Sequence, residues 1–184
     1  MVKDLLSGYL KECQSGGEAK LKTFFKCYEK GESLFFDFES QQDFPCPKHA
    51  EYNKPLYEGD TVEVFLTLDS PNRYLEIEVN QLGAEYCVII ENKDGEGDII
   101  IKKLEKSLFT HKNEFGGDIW ACQIKIDKKK LYQIGWSEDM ALINAHRQDF
   151  DREGKLNIYS LFPTFSKTFH KSKAFQRLYR GGTR

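Results

Sequence analysis

Glu63, Glu76 and Glu78 fall in two neighbouring stretches, TVEVFLTL (61–68) and RYLEIEVN (73–80). A glycosidase uses a pair of acids in this way, one as general acid and one as base or nucleophile, set across a cleft with separated pKa values. Glu76 and Glu78 share one face of a strand, as acids in many sheets do, and spacing along a chain does not place two groups across a cleft. The four histidines, His49, His111, His146 and His170, come without an H-E-x-x-H, and there is no G-x-S-x-G. His170 in FHK reads as a structural hydrogen-bonder. The five cysteines, Cys13, Cys27, Cys46, Cys87 and Cys122, are odd in number and without C-x-x-C spacing. They read as free thiols of a reducing compartment, neither a zinc site nor a disulfide framework.

The elements that must position the acids are strands. In 61–68, Val62, Val64, Leu66 and Leu68 alternate with Thr61, Glu63, Phe65 and Thr67, a period of two. In the second stretch Tyr74, Glu76, Glu78 and Asn80 alternate with Leu75, Ile77, Val79 and Leu82. Asp69-Ser70-Pro71-Asn72 supplies turn chemistry between them, so Leu56 to Tyr86 is organised around a β-hairpin. Lys20–Tyr28 and Ser33–Phe38 flank a glycine turn at 29–32 and predict another hairpin. Cys87–Glu91 and Ile99–Leu104 flank a third turn at 92–98. Further strands are expected over 119–126, 141–147 and 156–161. Residues 41–55, with three prolines, read as an ordered connection, and Asp127–Tyr132 as a solvated lysine-rich turn. Leu5, Leu6, Tyr9 and Leu10 have helical spacing before Ser15-Gly16-Gly17, so residues 1–19 are read as a lead-in, a short helix or irregular. Residues 180–184 are read as a frayed tail. The expectation is one all-β domain over 1–184, an antiparallel β-sandwich with immunoglobulin-like or jelly-roll-like layers.

Composition bounds the partners. The chain has 184 residues, 40% hydrophobic and 14% aromatic, enough for one substantial core. With 27 basic and 29 acidic residues its formal charge is -2, which gives no electrostatic reason to expect nucleic acid or an anionic membrane. No apolar run approaches the roughly 20 residues of a membrane span. The N-terminus lacks the apolar region of a secretory signal, which predicts a cytoplasmic protein, or a secreted one if the chain is a trimmed piece.

YEGDTVEVFL followed by YLEIEVNQLGA closely resembles the signature of family 9 carbohydrate-binding modules and their DOMON-like relatives, W-x-x-D-x-V-E-x-F and then Y-x-x-x-x-N. ALINAHR resembles the family's penultimate strand, and FHKSKAFQRL its closing signature, with Ser172 in place of proline and Gln176 in place of glycine. The resemblance implies a non-catalytic carbohydrate binder that holds a mono- or oligosaccharide end between two aromatic faces. Those faces correspond to Tyr57 and Phe169, each replacing a tryptophan; Trp120 and Trp136 fall on neither position. Glu63 matches a sugar-contacting carboxylate, His146 a glutamine, Ser166 an asparagine, and Lys155 stands near an arginine. Glu78 stands where an arginine is found, reversing the charge. Glu63 and Glu78 would repel unless Lys155, Arg147 or a cation stood between them. Calcium is structural in some relatives, and Glu58, Asp60 and Asp69 are candidate oxygen ligands, although no spacing identifies a site and no cofactor is expected. Haem ligation by Met140 with His146 or His170, as in DOMON relatives, is disfavoured by those domains' extracytoplasmic setting. The alternative function is a sandwich that has lost sugar binding and serves as a protein-interaction module. A third reading is a hydrolase using Glu63 and Glu78.

Overall fold

The computed structural model describes residues 1–179. Its strands in chain order are β1 (Val2–Tyr9), β2 (Lys11–Glu12), β3 (Thr23–Lys30), β4 (Ser33–Gln41), β5 (Thr61–Ser70), β6 (Arg73–Val79) and β7 (Glu85–Asn92). They continue with β8 (Ile99–Lys103), β9 (Phe109–Gly116), β10 (Ile119–Asp127), β11 (Leu142–Phe150), β12 (Leu156–Ser160) and β13 (Gln176–Arg177). One short helix, α1 (Lys128–Gln133), follows β10. The strands form a five-stranded sheet, β1-β3-β4-β10-β9, and an eight-stranded sheet, β2-β12-β11-β5-β6-β7-β8, with β13 added beside β11. Every pairing between named strands is antiparallel, and the fold is an all-β sandwich.

The alternation in the central hairpin decides what the larger sheet turns inward. Val62, Val64, Leu66 and Leu68 of β5 and Leu75, Ile77 and Val79 of β6 pack against Phe25, Phe36, Phe38, Trp120 and Ile124 of the smaller sheet. Trp120 is fully buried and donates its indole N–H to Asn113 Oδ1 at 3.1 Å. The other face of the larger sheet is buried as well. There Phe65, Tyr74, Tyr86, Val88, Ile90 and Ile158 form a second apolar cluster with Phe169 and Phe175 from the segment that follows β12. A sheet with one wet face would leave Thr61, Glu63, Glu76 and Glu78 exposed; here all four are buried.

Three local expectations are corrected. Residues 1–19 are not a lead-in: β1 pairs with β3 and β2 with β12. A bulge between Asp4 and Leu6 places Leu5 and Leu6 both half-buried, which breaks the alternation and imitates a helical period. The lysine-rich turn is the helix α1, whose N-cap Asp127 accepts from the Lys129 N–H at 2.8 Å while Leu131 is buried. Leu82 does not continue β6 but sits exposed in the turn beyond it. Phe169 lies in no strand; the closing signature is a crossing segment with a 3-10 turn at Ser172–Ala174. Ser172 ties that segment down, its N–H donating to Gly95 O at 3.1 Å and its hydroxyl to Asn72 Oδ1 at 2.8 Å. The tail at 180–184 lies outside the described residues.

Candidate functional site

A cleft of about 370 Å³ opens on the outer face of the larger sheet. Its floor is built by register. Glu63 of β5 stands opposite Glu78 of β6 and opposite His146 of β11, and Phe65 stands opposite Glu76. Gln148, two residues beyond His146 on the same face of β11, and Tyr86, opposite Glu78, complete it. The walls are Tyr57 from the 3-10 turn Leu56–Glu58, Ile99 and Ile101 of β8, and residues 167–170 of the crossing segment.

Tyr57 stands at the rim, 45% exposed, edge-on to Tyr86 with ring centroids 6.2 Å apart. The residues after it hold it there. A Cβ on Gly59 would lie 2.6 Å from Cys46 O and 2.7 Å from Lys48 N, so only glycine lets the 41–55 loop pack this closely. Asp60 is buried and accepts from the Cys46 N–H at 2.8 Å, the Phe150 N–H at 2.7 Å and the Gln81 side chain at 3.3 Å. It is thus a knot between three segments. Glu58 pairs with His49 and Asp69 with Arg73, so the three candidate calcium ligands do not converge.

Phe169 also lines the cleft, but it is only 6% exposed and its ring stacks on His146 at 4.1 Å. His146 lies behind this aromatic wall and does not line the cleft. Its tautomer follows from a chain of hydrogen bonds. Thr164 donates to Thr168 O, so the Cys13 thiol must donate to Thr164, the Ser160 hydroxyl to Cys13 Sγ, and His146 Nδ1–H to Ser160. Nε2 is left as a buried lone pair without a partner. Burial, reinforced by the neighbouring His170, holds the His146 pKa well below the usual imidazole value. Burial also lowers His170 to about 4, and its Nδ1 lies 2.7 Å from the Tyr74 hydroxyl.

The acids meet on the floor. One carboxylate oxygen each of Glu63, Glu76 and Glu78 lies within 4.8 Å of the other two. Glu63 accepts from the Thr61 hydroxyl at 2.8 Å and the Gln148 side chain at 3.0 Å. Among the described residues Glu78 has no donor for either oxygen, nor has Oε2 of Glu76. A bond between those two requires one of them to carry a proton. Burial pushes Glu63 up to about 7; burial together with the charge of Glu63 pushes Glu76 up to about 8. Burial and the two neighbouring acids push Glu78 well above the carboxylate range.

The structure therefore brings Tyr57, Glu63, Glu78 and Phe169 to one cleft, with His146 behind it, and leaves the other three named residues elsewhere. Arg147 points to the opposite face of β11, where it is fully buried, paired with Asp149 at 2.5 Å and donating to Gln41 O and the Thr23 hydroxyl. Alternation requires this, since Arg147 follows His146 by one residue. Lys155 is exposed in the turn between β11 and β12, and Ser166 accepts from the Thr168 N–H outside the cleft. Neither Arg147 nor Lys155 stands between the glutamates. Sequence reasoning missed Gln148 and Tyr86. Gln148 was within reach of it, because alternation from His146 in AHRQ puts it on the same face.

No family model and no curated protein matches the sequence. Solved structures do match the fold. A protein of Bacteroides uniformis provisionally assigned as carbohydrate-binding superposes with a TM-score of 0.66 at 12% identity, over 95% of this chain and 84% of its own. A family 9 carbohydrate-binding module of Caldicellulosiruptor kristjanssonii in complex with glucose superposes with a TM-score of 0.59 at 13% identity, over 96% of this chain and 85% of its own. A structure of such a module from the same organism with cellotriose gives 0.56 at 13% identity, over 86% and 73%. The chain thus has the fold of family 9 carbohydrate-binding modules.

Proposed function

We propose that the protein is a non-catalytic carbohydrate binder that takes the end of a mono- or oligosaccharide into the cleft, with Tyr57 and Phe169 as its aromatic walls. The observation that carries this reading is one cleft combining an exposed aromatic ring, Tyr57, with polar side chains converging on its floor, Glu63, Gln148, Glu76 and Glu78. A pyranose needs both: an apolar ring face for its C–H groups and hydrogen-bonding partners for its hydroxyls. A volume of about 370 Å³ is at the small end for a ligand site and suits a sugar end better than a long chain. The solved modules of the same fold with glucose and cellotriose support the reading. Catalysis by Glu63 and Glu78 is disfavoured, because the two stand side by side on adjacent strands of one floor, whereas a glycosidase flanks the scissile bond with its acids.

One observation favours the second reading, a protein-interaction module without a sugar site. Phe169 is almost wholly buried against His146, which leaves little of its face for stacking. Calorimetric titration with glucose and cellotriose separates the two. The carbohydrate reading expects saturable heat that weakens at least 10-fold in Tyr57→Ala, about 1.4 kcal/mol, in a variant that keeps its melting temperature. No heat from folded protein would refute it.

A further inference from the structure

The floor of the cleft gathers three carboxyl groups, and among the described residues no buried cation stands beside them. Glu63, Glu76 and Glu78 are 2%, 5% and 0% exposed, and Phe65, Tyr86 and Ile158 share the cleft with them. Arg147 is turned to the other face of its strand and consumed by Asp149. Lys155 is out in solvent, Lys167 stands on the cleft wall but is exposed to water rather than buried with the acids, and His146 and His170 are neutral. Carboxylates removed from water ordinarily collect donors. Glu63 does, from Thr61 and Gln148, but both oxygens of Glu78 and Oε2 of Glu76 are buried with none among the described residues. For packing alone, glutamine or an apolar side chain would serve at lower cost.

The geometry points to a hard divalent cation, best matched by Ca²⁺, bound on the cleft floor by Glu63, Glu76 and Glu78 with its remaining coordination positions turned to the cleft. Calcium holds oxygens at about 2.3–2.6 Å, so two oxygens on one ion stand at most about 5 Å apart. The three glutamate oxygens, within 4.8 Å of one another, meet that condition where they stand. The donors are all oxygen, which favours calcium, magnesium or manganese over zinc, and calcium's flexible coordination accepts three strand-borne carboxylates more readily than the near-ideal octahedron of magnesium. Calcium takes six to eight ligands, so three carboxylates leave positions for water or for ligand hydroxyls. Three negative charges against two positive leave the loaded site anionic, which suits a neutral polyol better than an acidic ligand. This last step rests on the carbohydrate reading; the cation site does not.

Terbium, a luminescent stand-in for calcium, tests the site, because Tyr57 and Tyr86 line the same cleft and can sensitise it. Excitation of tyrosine at pH 8 should give Tb³⁺ emission that saturates at one ion per chain and is displaced by Ca²⁺. Glu78→Gln and Glu76→Gln should each weaken it at least 10-fold, with folding checked by thermal melting, while Glu91→Gln, outside the cleft, should not. No saturable emission, or emission unchanged in both cleft variants, overturns the cation site. Titration with glucose and cellotriose, with Ca²⁺ and again with a chelator, separates the two readings. Terbium binding without sugar heat upholds the cation site and overturns the carbohydrate reading. Sugar heat in chelator, from protein that gives no terbium emission, does the reverse.

Discussion

Raising the pH from 7 to 8 in the presence of a chelator should destabilise this protein markedly. The folded-state pKa values of Glu63, Glu76 and Glu78 are all raised from an ordinary 4.5, to about 7 and about 8 for the first two and well above the carboxylate range for the third, by burial and by the neighbouring acids. A raised acid binds its proton more tightly in the folded state, so its contribution is complete below pH 4.5 and is lost as pH climbs through the folded value. At pH 7 the triad keeps about two protons that the unfolded chain has released. Each such proton costs roughly 1 kcal/mol of stability per pH unit, so the loss between pH 7 and 8 is roughly 2–3 kcal/mol. For a chain of this length that lowers Tm by about 5–10 °C. His146 and His170, held below 6.5, are neutral in the folded state and largely so in the unfolded chain above pH 7, whereas the raised thiols of Cys27, Cys87 and Cys122 add a smaller fall of the same sign toward pH 8, because they stay protonated while unfolded thiols begin to ionise. Below pH 6.5 the two histidines oppose the glutamates, because the unfolded chain gains protons that the buried rings refuse. The stability curve should therefore flatten on the acid side and fall on the alkaline side. Scanning calorimetry at pH 6.5, 7, 7.5 and 8 measures the slope, and Glu78→Gln should remove about half of it and raise Tm at pH 8. A Tm that does not fall over this interval, or an unchanged slope in Glu78→Gln, would refute the reasoning.

Arg147→Ala should cost about 3–5 kcal/mol, because it strands the buried Asp149 without its partner; denaturant melts check this, and the folded fraction should bind any cleft ligand unchanged. Gly59→Ala should cost about 1–3 kcal/mol by driving a Cβ into Cys46 O and Lys48 N, and amide chemical shifts over 41–60 should move with it. Ser160→Ala should cost about 1–3 kcal/mol by leaving the His146 Nδ1–H buried without an acceptor. In the unsubstituted protein, nitrogen NMR should find His146 protonated at Nδ1 and still neutral at pH 5. Protonation at Nε2 would break the assigned chain of donors from His146 to Thr168.

The sequence by itself determined the sandwich and its central hairpin, because a period of two survives wherever a strand is regular and each residue's face depends only on its neighbours. Alternation placed Val62 and Val64 on one face of the hairpin and Glu63 on the other. It failed at β1, where one bulge between Asp4 and Leu6 disturbs the count, and at α1, whose six residues are too few to show a helical period. The candidate site was legible only in part. Tyr57, Glu63, Glu78 and Phe169 line the cleft, while Arg147 was assigned to it against its own alternation, one residue after His146. Only the tertiary structure decided that the outer face of the larger sheet is buried. The crossing segment with Phe169 and Phe175 lies more than ninety residues along the chain from Phe65 and Tyr74, on which it packs. That cover turns three strand glutamates, which alternation allows equally to be solvated, into a buried cluster with perturbed protonation. The reason is that a local pattern specifies which way a side chain points, whereas the dielectric and the partners it meets there come from residues distant in the chain.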